Sequence, residues 1–198
     1  MSELESLTER QAERRRRVIL AGVSLASEGG YDAVQMREVA SRADVALGTI
    51  YHYFSSKDHL LAAALHDWIE QFAHQVEQRP ARGGSDRERV LDLLSRFTEA
   101  MSADRSLSAA VVTGFVSPSV EIADIQDQLH RSWSTAVGSA FDPHRDDVQR
   151  DRIVRVIEHV WFSGLIGWVM GWMPLEQAIS ELHEAVDLLL PVEPSAPT

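Results

Sequence analysis

The sequence contains no cysteine, one lysine among its 19 basic residues, and no apolar run long enough to cross a bilayer. The lack of cysteine excludes disulfide scaffolds, zinc modules built on thiolates and thiol catalysis. The longest apolar run extends from Val160 to Met173 with only Ser163 interrupting it, and these 14 residues fall short of the roughly 20 that span a membrane. The polar N-terminus lacks the apolar core of a secretory signal. We therefore expect a cytoplasmic protein with no membrane association.

The charge of the chain is strongly acidic but unevenly distributed. With 198 residues, 44% of them hydrophobic, the chain has the composition of one large or two small globular domains. A net charge of −11 argues against a nucleic-acid partner, because phosphate binding requires positive charge. However, residues 10–57 carry a net charge of +3 and residues 61–198 a net charge of −10. This asymmetry indicates a small nucleic-acid-binding part joined to an acidic body, although a solvated basic helix end would give the same pattern.

Apolar residues recur at helical spacing along the chain, and no segment alternates convincingly with period two. The glycine pair at residues 29–30 supplies the positive φ that ends the first helix. Ser85 and Glu88 form a capping box that begins a helix after the loop at residues 79–84. The proline-containing tail at residues 191–198 is expected to be disordered. The pattern predicts an all-α fold of about nine helices, at residues 8–27, 36–42, 47–53, 57–78, 85–101, 107–115, 122–140, 148–173 and 175–190.

Residues 34–54 fit two short helices joined by a tight turn, which is a helix-turn-helix. Ala40 and Ala43 are small enough for the two helices to cross, and Asp44 tolerates a left-handed backbone in the turn. The second helix leaves an unusually aromatic set for a solvent face. A generic helical hairpin with surface aromatics is the alternative. The candidate DNA-contacting residues on this helix are Leu47, Gly48, Thr49, Tyr51, His52 and Tyr53.

The chemistry of these side chains suits a phosphate backbone and base edges. Gly48 would allow the backbone to approach a phosphate closely. Thr49 and His52 can reach base edges or phosphates, and Tyr51 and Tyr53 can donate to phosphate oxygens. Further polar side chains near the motif complete the predicted DNA-binding set: Arg14, Arg17, Gln35, Arg37 and Lys57.

Residues 11–65 resemble the DNA-binding domain of the TetR/AcrR family of bacterial transcriptional regulators. The resemblance rests on the segments GYDAV at 30–34, REVA at 37–40, GTIYHYF at 48–54 and SKDHLL at 56–61. It implies a three-helix N-terminal helix-turn-helix domain at residues 1–56 and an all-α ligand-binding and dimerisation domain at residues 57–190. It also implies a repressor that binds a palindromic operator in double-stranded DNA as a dimer and is released by a small molecule.

The chain departs from the family pattern at the turn of the helix-turn-helix. The family usually carries glycine followed by Val-Ser, whereas this chain has Asp44, Val45 and Ala46. Without the serine hydroxyl, one phosphate contact of the family is in doubt here. Leu47 replaces a commonly polar residue, and it would either touch a thymine methyl group or pack.

A narrower resemblance concerns the effector. Residues 34–37, 42–49 and 157–168 are similar to the actinobacterial repressors of sterol catabolism. This similarity implies a hydrophobic effector of the steroid or fatty acyl-CoA type. The alternative is a regulator of the same family that controls efflux or another pathway and senses a different hydrophobic molecule.

The C-terminal body supplies apolar side chains for an effector pocket, although plain core packing is the simpler interpretation of each one. A thioester effector would also need cations for its phosphates, and Arg96, Arg105 and Arg131 are available without any being singled out. No cofactor is expected. The predicted pocket residues are Phe97, Met101, Val111, Phe115, Ile125, Leu129, Trp133, Trp161, Leu165 and Trp168.

Three glycines in the penultimate helix point to close approach of another backbone, because each costs a helix about 1 kcal/mol relative to alanine. The neighbouring backbone would belong to a dimer partner or surround a ligand. The family resemblance implies that the last two helices pair with their two-fold mates, so we expect a homodimer. The predicted interface residues are Gly164, Gly167, Gly171, Ile179, Leu182 and Val186.

Metal and catalytic chemistry have little support in the sequence. The eight histidines form neither an H-E-x-x-H motif nor a Cys/His cluster, so no metal site is expected. The chain also lacks a phosphate-binding Walker loop and a G-x-S-x-G nucleophile motif. We therefore predict no catalytic residues, and an enzyme is the least favoured class.

Overall fold

Residues 9–191 are the part of the chain that the computed structural model describes, and their regular structure is entirely helical. The all-α prediction and the number of helices are confirmed, and the first three helices form the N-terminal helix-turn-helix region. The predicted disordered tail lies, except for Pro191, outside the described residues. The helices are α1 (Glu9–Ala33), α2 (Met36–Ala43), α3 (Leu47–Tyr53), α4 (Lys57–Gln78), α5 (Asp86–Ser102), α6 (Arg105–Phe115), α7 (Val120–Gly138), α8 (Asp147–Met170) and α9 (Leu175–Leu189).

Side-chain caps determine where several helices begin. The Ser85 hydroxyl accepts the backbone N–H of Glu88 at 3.3 Å, which confirms this half of the predicted capping box. The Glu88 carboxylate reaches back one residue further than in the usual box and accepts the N–H of Gly84 at 2.7 Å. Asp104 and Asp146 cap α6 and α8 in the same way as Ser85 caps α5. These caps satisfy amides that the first turn of a helix leaves without a partner.

One predicted helix break was confirmed and one predicted helix end was wrong. The backbone of α1 leaves the helical conformation at Gly29 and Gly30, and Gly30 has the predicted positive φ, at 70°, whereas Gly29 has a φ of −150°. Beyond this kink α1 resumes and ends at Ala33. Helix α8 stops at Met170 because Gly171 adopts the left-handed conformation, with φ 82°. Gly171 therefore ends the helix and is not one of its interior residues. The left-handed conformation by itself explains why position 171 is glycine. No close approach of another backbone is needed there, which corrects the reason for which Gly171 was predicted to lie in an interface.

The described chain divides into two compact units. Unit 1 comprises residues 9–68 and 104–128, and unit 2 comprises residues 69–103 and 129–191. Helices α4 and α7 each contribute residues to both units. This division follows packing, so it differs from the predicted functional boundary after residue 56, which stays a prediction.

The core of unit 1 joins the helix-turn-helix to α1 and α4. Val18 from α1, Ile50 from α3, and Leu60 and Leu61 from α4 are fully buried. Helix α1 also packs against α2 and α6. A Cβ at Gly22 would lie only 3.0 Å from the Leu60 side chain, so glycine permits this close packing of α1 on α4. The orientation of α3 is therefore set by a shared core.

The core of unit 2 is an aromatic cluster. The ring centroid of Phe97 lies 4.7 Å from those of Phe72, Trp133 and Trp161, in each case edge to face. Trp133 and Trp161 stack on one another at 4.7 Å. Such pairs contribute about 0.5–1.5 kcal/mol each beyond their buried area. The cluster joins α4, α5, α7 and α8.

Helix α8 is long and apolar enough to cross a membrane by length and composition. Half of its most apolar 18-residue window is buried inside the protein. Isoleucine, valine and tryptophan side chains along one stripe of the helix make up this buried part. These properties are typical of the core helix of a globular protein.

The contact between α6 and α4 can be tested at Gly114. A Cβ there would lie 2.7 Å from the Leu61 Cβ and 3.0 Å from the Asp58 carbonyl oxygen, so one element must shift. We expect Gly114→Ala to lower the free energy of unfolding by about 1–3 kcal/mol in urea titrations. Gly138→Ala is the matched control, because its Cβ would meet only the Arg150 side chain at 3.8 Å. Equal stability of the two variants would contradict the packing.

Candidate functional site

The turn of the helix-turn-helix has the geometry predicted for it. Asp44 adopts a left-handed conformation with φ 52° and ψ 56°, and its N–H points to the carbonyl oxygens of Ala40 and Ser41. Helix α3 then begins with a bond from the Thr49 N–H to the Ala46 carbonyl at 2.9 Å. Ala46 provides no side-chain cap, so the first amides of α3 lack the hydroxyl acceptor that a serine would supply.

Helix α3 has one packed face and one exposed face. Ile50 is fully buried in the core of unit 1. Tyr51 is 52% exposed, which is unusual for a large aromatic side chain. The other predicted DNA-contacting residues are placed on or beside the exposed face: Gly48 and His52 are exposed, and Leu47, Thr49 and Tyr53 are half-buried.

No packing contact of the described residues requires glycine at position 48. A Cβ built there meets no atom within 4 Å, and the backbone does not have a positive φ. Glycine in a helix is unfavourable by about 1 kcal/mol relative to alanine. The missing side chain at this exposed position leaves the backbone open to close approach by another molecule.

Four exposed arginines of α1 and α2 have no carboxylate partner among residues 9–191. Arg10, Arg14 and Arg17 follow one another at spacings of four and three residues, which places them on one side of α1. Arg37 is exposed on α2, and none of the four forms an ion pair within the described chain. Gln35 is also exposed, and its amide donates to the Asp32 carbonyl at 2.9 Å. These cations are available to phosphates.

Two other arginines of unit 1 serve packing. Arg15 donates to Asp67 on α4 at 3.1 Å, and its guanidinium lies 5.5 Å from the centre of the Phe54 ring. Burial alone would raise the pKa of Asp67, but hydrogen bonds from His66 and Arg15 and the charge of Arg15 outweigh it, so the pKa is lowered. Arg42 donates to Glu28 at 2.5 Å, which lowers the pKa of that carboxyl.

Lys57 is partly engaged by Tyr31 of the same chain. Its ammonium group is 3.7 Å from the centre of the Tyr31 ring and 3.5 Å from the Tyr31 carbonyl oxygen. The side chain is half-buried and engaged in a cation–π contact. The charge of Lys57 therefore reaches the surface only in part, and its role in DNA binding stays a prediction.

The carboxylate of Asp58 joins three segments of unit 1, and sequence reasoning missed it. It accepts hydrogen bonds from the Tyr31 hydroxyl and, at 2.8 Å, from the Ser117 hydroxyl. Burial, together with the bond to Asp58, raises the pKa of Tyr31 to about 12. The end of α1, the start of α4 and the segment after α6 are thereby held together. Tyr31 and Asp58 lie in the family-like segments, but nothing in the sequence pairs them.

Four of the predicted pocket residues line an apolar cavity of unit 2 between α5, α8 and α9: Met101, Trp161, Leu165 and Trp168. The free space is about 20 Å³, whereas ligand pockets usually measure about 300–1,000 Å³. Phe97 and Trp133 pack against Trp161 in the aromatic cluster. The cavity is thus nearly closed, and a ligand would have to displace side chains.

The remaining predicted pocket residues have other positions. Val111, Phe115 and Ile125 belong to unit 1, where the first two are buried and the third is half-buried. Leu129 is buried at the start of the α7 segment that belongs to unit 2. None of these four lines the apolar cavity described above. Their assignment to an effector pocket stays a prediction.

The glycines of α8 approach their own chain. A Cβ at Gly164 would lie 3.1 Å from the Ala178 Cβ, and one at Gly167 would lie 2.8 Å from the Trp172 ring. Leu182 and Val186 are buried within the chain, and Ile179 lines the apolar cavity. The close approach inferred from the sequence therefore exists within one chain, so these glycines need no dimer partner to explain them. The apolar side chains that are exposed in this region are not the predicted interface residues but a second set: Val148, Val156, Met170, Trp172 and Leu188.

The three arginines proposed for ligand phosphates are not equivalent. Arg96 donates to the Arg79 carbonyl at 2.9 Å and lies 3.6 Å from Asp92. Arg105 belongs to unit 1. Arg131 is exposed on α7 and has no ion pair among residues 9–191. Over the same range, no group of three histidine or carboxylate side chains is placed to hold a metal ion.

Comparison with known proteins agrees with the helix-turn-helix geometry. Residues 18–64 match the model "Bacterial regulatory proteins, tetR family", and residues 83–189 match "Tetracyclin repressor-like, C-terminal domain". The chain belongs to the TetR family. This TetR-family protein is 35% identical to the HTH-type transcriptional repressor KstR of Mycolicibacterium smegmatis, over 98% of this chain and 95% of that protein. It is therefore a KstR-like TetR regulator, and its relatives are regulators and not enzymes.

Solved structures of TetR regulators share the fold. A TetR transcriptional regulator from Rhodococcus sp. RHA1 superposes with a TM-score of 0.82 at 29% identity, covering 92% of this chain and 98% of that one. Thermus thermophilus FadR, solved in complex with lauroyl-CoA, gives a TM-score of 0.74 at 20% identity over 93% of this chain and 99% of that one. The second likeness concerns the fold alone.

The packing of His59 predicts a pH dependence of stability. Its ring meets Phe54 edge to face at 5.5 Å and its Nδ1 lies 3.3 Å from the Ser55 N–H. Burial lowers the pKa of His59 from 6.5. Unfolded chains therefore bind this proton at higher pH than folded ones, so stability falls as the pH drops from about 7 through 6.5 toward the lowered pKa.

This dependence can be measured by urea unfolding between pH 5 and 7.5. We expect His59→Gln to flatten the profile in that window. His144→Gln, in an exposed loop, is the control and should leave the slope unchanged. A wild-type slope in His59→Gln would show that another group is responsible.

Proposed function

We propose that this protein is a ligand-responsive transcriptional repressor that binds a palindromic operator as a homodimer and leaves it when a hydrophobic effector binds. The observation that carries the proposal is the exposed face of α3, where Tyr51 projects and Gly48 leaves the backbone open. Among residues 9–191, no side chain packs over Gly48, so the exposed face is open to an approaching molecule. Its operator would lie in the cytoplasm.

In the proposed complex, α3 enters the major groove. Thr49 and His52 would reach base edges, while Tyr51 would donate to a phosphate. Arg14, Arg17 and Arg37 would neutralise neighbouring phosphates, because they have no competing carboxylate in the described chain. Two copies of the basic segment suffice for such contacts despite the overall net charge of −11.

The proposed dimer contact uses the outer faces of α8 and α9. Trp172 is 62% exposed and lies beside Met170, which is also exposed. Val156 lies on the same helix, and Leu188 is exposed on α9. Large exposed apolar side chains such as these would be covered in a dimer. A two-fold axis would present the two α3 helices to successive major grooves about 34 Å apart.

The proposed effector is a steroid or fatty acyl-CoA thioester. The KstR relative and the acyl-CoA complex of FadR support this class, and the cavity between α5, α8 and α9 has apolar walls. Because the cavity holds only about 20 Å³, the effector would have to separate these helices on entry. Entry would therefore be coupled to a change of packing.

The DNA-contacting role can be tested by fluorescence anisotropy with the DNA upstream of the protein's own gene. Tyr51→Ala should weaken binding about tenfold, the size of one or two lost contacts, without unfolding the exposed site. Gly48→Ala should raise the unfolding free energy by up to about 1 kcal/mol and still weaken binding. The wild type should bind with two chains per operator.

Val120→Ala is the control for both variants, because Val120 is the most exposed apolar side chain of unit 1 and lies on α7. It should leave operator affinity unchanged. Unchanged affinity in both Tyr51→Ala and Gly48→Ala would reject the docking of α3.

The effector can be tested on the preformed operator complex. We expect palmitoyl-CoA or a steroid acyl-CoA at micromolar concentration to release the DNA. Ile179→Trp, which fills the cavity from α9, should bind DNA normally but resist release. If no thioester of the panel changes DNA affinity, the effector class is wrong while the DNA-contacting role remains.

A further inference from the structure

A groove of about 620 Å³ with polar and apolar walls lies on unit 2 between α7 and α8. Arg131, Ser134 and Thr135 line it from α7. Arg150, Arg155 and the carboxylate of Asp151, which lies 3.0 Å from Arg150, line it from α8. It is distinct from the apolar cavity, with which it shares no lining residue. Neither the sequence motifs nor the predicted pocket accounts for it.

Several arginines of unit 2, one of them in the groove, lie beside a carboxylate of the same chain. Arg87, Arg89, Arg96 and Arg145 each lie within 4 Å of a carboxylate, at 2.6 Å for Arg87 and Asp187. Arg150 lies beside Asp147 and Asp151 at 2.7 and 3.0 Å.

Arg131 and Arg155 have no ion pair among residues 9–191, although they belong to the acidic part of the chain. Two uncompensated guanidinium groups therefore line one groove. His130 also borders it, but its Nδ1 is 2.7 Å from the Glu158 carboxylate and is already engaged.

The donor set of the groove suits phosphate oxygens. Guanidinium groups form paired, charge-assisted hydrogen bonds to phosphate, and the hydroxyls of Ser134 and Thr135 add neutral donors. A carboxylate ligand would use one such guanidinium, whereas Arg131 and Arg155 on two different helices fit an anion with more than one charged group.

The groove and the apolar cavity are both lined by residues on the same face of α8. Val154 lines the groove and Trp161 lines the cavity, seven residues or about 10 Å apart on one face of the helix. Trp133 stacks on Trp161 and is adjacent in sequence to Ser134 of the groove. The Trp133 indole N–H is buried and has no acceptor among residues 9–191. A ligand with an apolar end and a polar, phosphorylated end would match this order.

We propose that the α7–α8 groove binds the phosphate groups of a coenzyme A thioester whose acyl part occupies the apolar cavity. This inference rests on the proposed effector function and adds the part of the ligand that is recognised. Free polyphosphates share the same chemistry, so the test includes them separately.

The test is calorimetric titration of the full-length protein, without DNA, with coenzyme A that carries no acyl chain. Arg131→Ala and Arg155→Ala should each weaken binding about tenfold or more, the size of one lost charge-assisted hydrogen bond. Arg152→Ala is the matched control, because Arg152 is exposed on α8, has no ion pair in the described chain and does not line the groove. It should bind coenzyme A like the wild type.

Two further ligands distinguish the source of the phosphate. If pyrophosphate binds and its affinity depends on both arginines, the result supports the groove as a general polyphosphate site. If coenzyme A binds more tightly than pyrophosphate, the result assigns the groove to the head group of the thioester. Palmitate, which has no phosphate, should bind the variants and the wild type equally.

Several results would overturn the proposal: no binding of coenzyme A at millimolar concentration, equal losses in Arg152→Ala and the groove variants, or competition by a DNA duplex for the groove. Release of DNA by palmitoyl-CoA at wild-type concentration in Arg131→Ala and Arg155→Ala would also reject the groove while leaving the repressor function intact. Conversely, arginine-dependent binding of coenzyme A with no release of DNA by any thioester would support the groove and reject the effector role.

Discussion

The carboxylate of Asp58 is the point on which the arrangement of the DNA-contacting unit depends. It accepts the hydroxyl protons of Tyr31 and Ser117, so the end of α1, the first turn of α4 and the segment after α6 meet at one group. Gly114 allows α6 to reach the backbone of the same residue. Helix α3 ends only four residues before α4, at Tyr53. Any movement of the first turn of α4 would therefore displace α3, which carries the predicted DNA-contacting residues.

The arginines divide into those that hold the structure together and those left for partners. Arg15 and Arg42 each use their charge on a carboxylate within unit 1. Arg14 and Arg17 have no such partner in the described chain, and the same contrast separates Arg150 from Arg131 and Arg155 in unit 2. The net charge of −11 is thus a poor guide to binding, because only uncompensated cations at a particular surface can attract phosphates.

The core of unit 2 is packed in a way that suits a switch. Phe97, Trp133 and Trp161 fill the space between the helices, and the adjoining apolar cavity is nearly closed. Close-packed interiors respond to an inserted group by moving whole elements, because they have little free volume to absorb it. The protein with a nearly closed cavity and the protein with a bound ligand would therefore have two different packings of these helices. A repressor that is released by its effector requires two such states.

Short-range features of this protein could be predicted from its sequence. Local hydrogen bonds and helical spacing determine the left-handed turn at Asp44, the Ser85 cap and the exposed residues around Tyr51. The all-α fold follows from the same helical spacing, and the family was recognised from short sequence segments. Only the tertiary structure decided which cations are free, that Gly164 and Gly167 pack against their own chain, and that Asp58 joins three segments. The physical reason is distance along the chain: Arg15 and Asp67 are 52 residues apart and Arg145 and Asp86 are 59 apart, so no local pattern records which charge meets which.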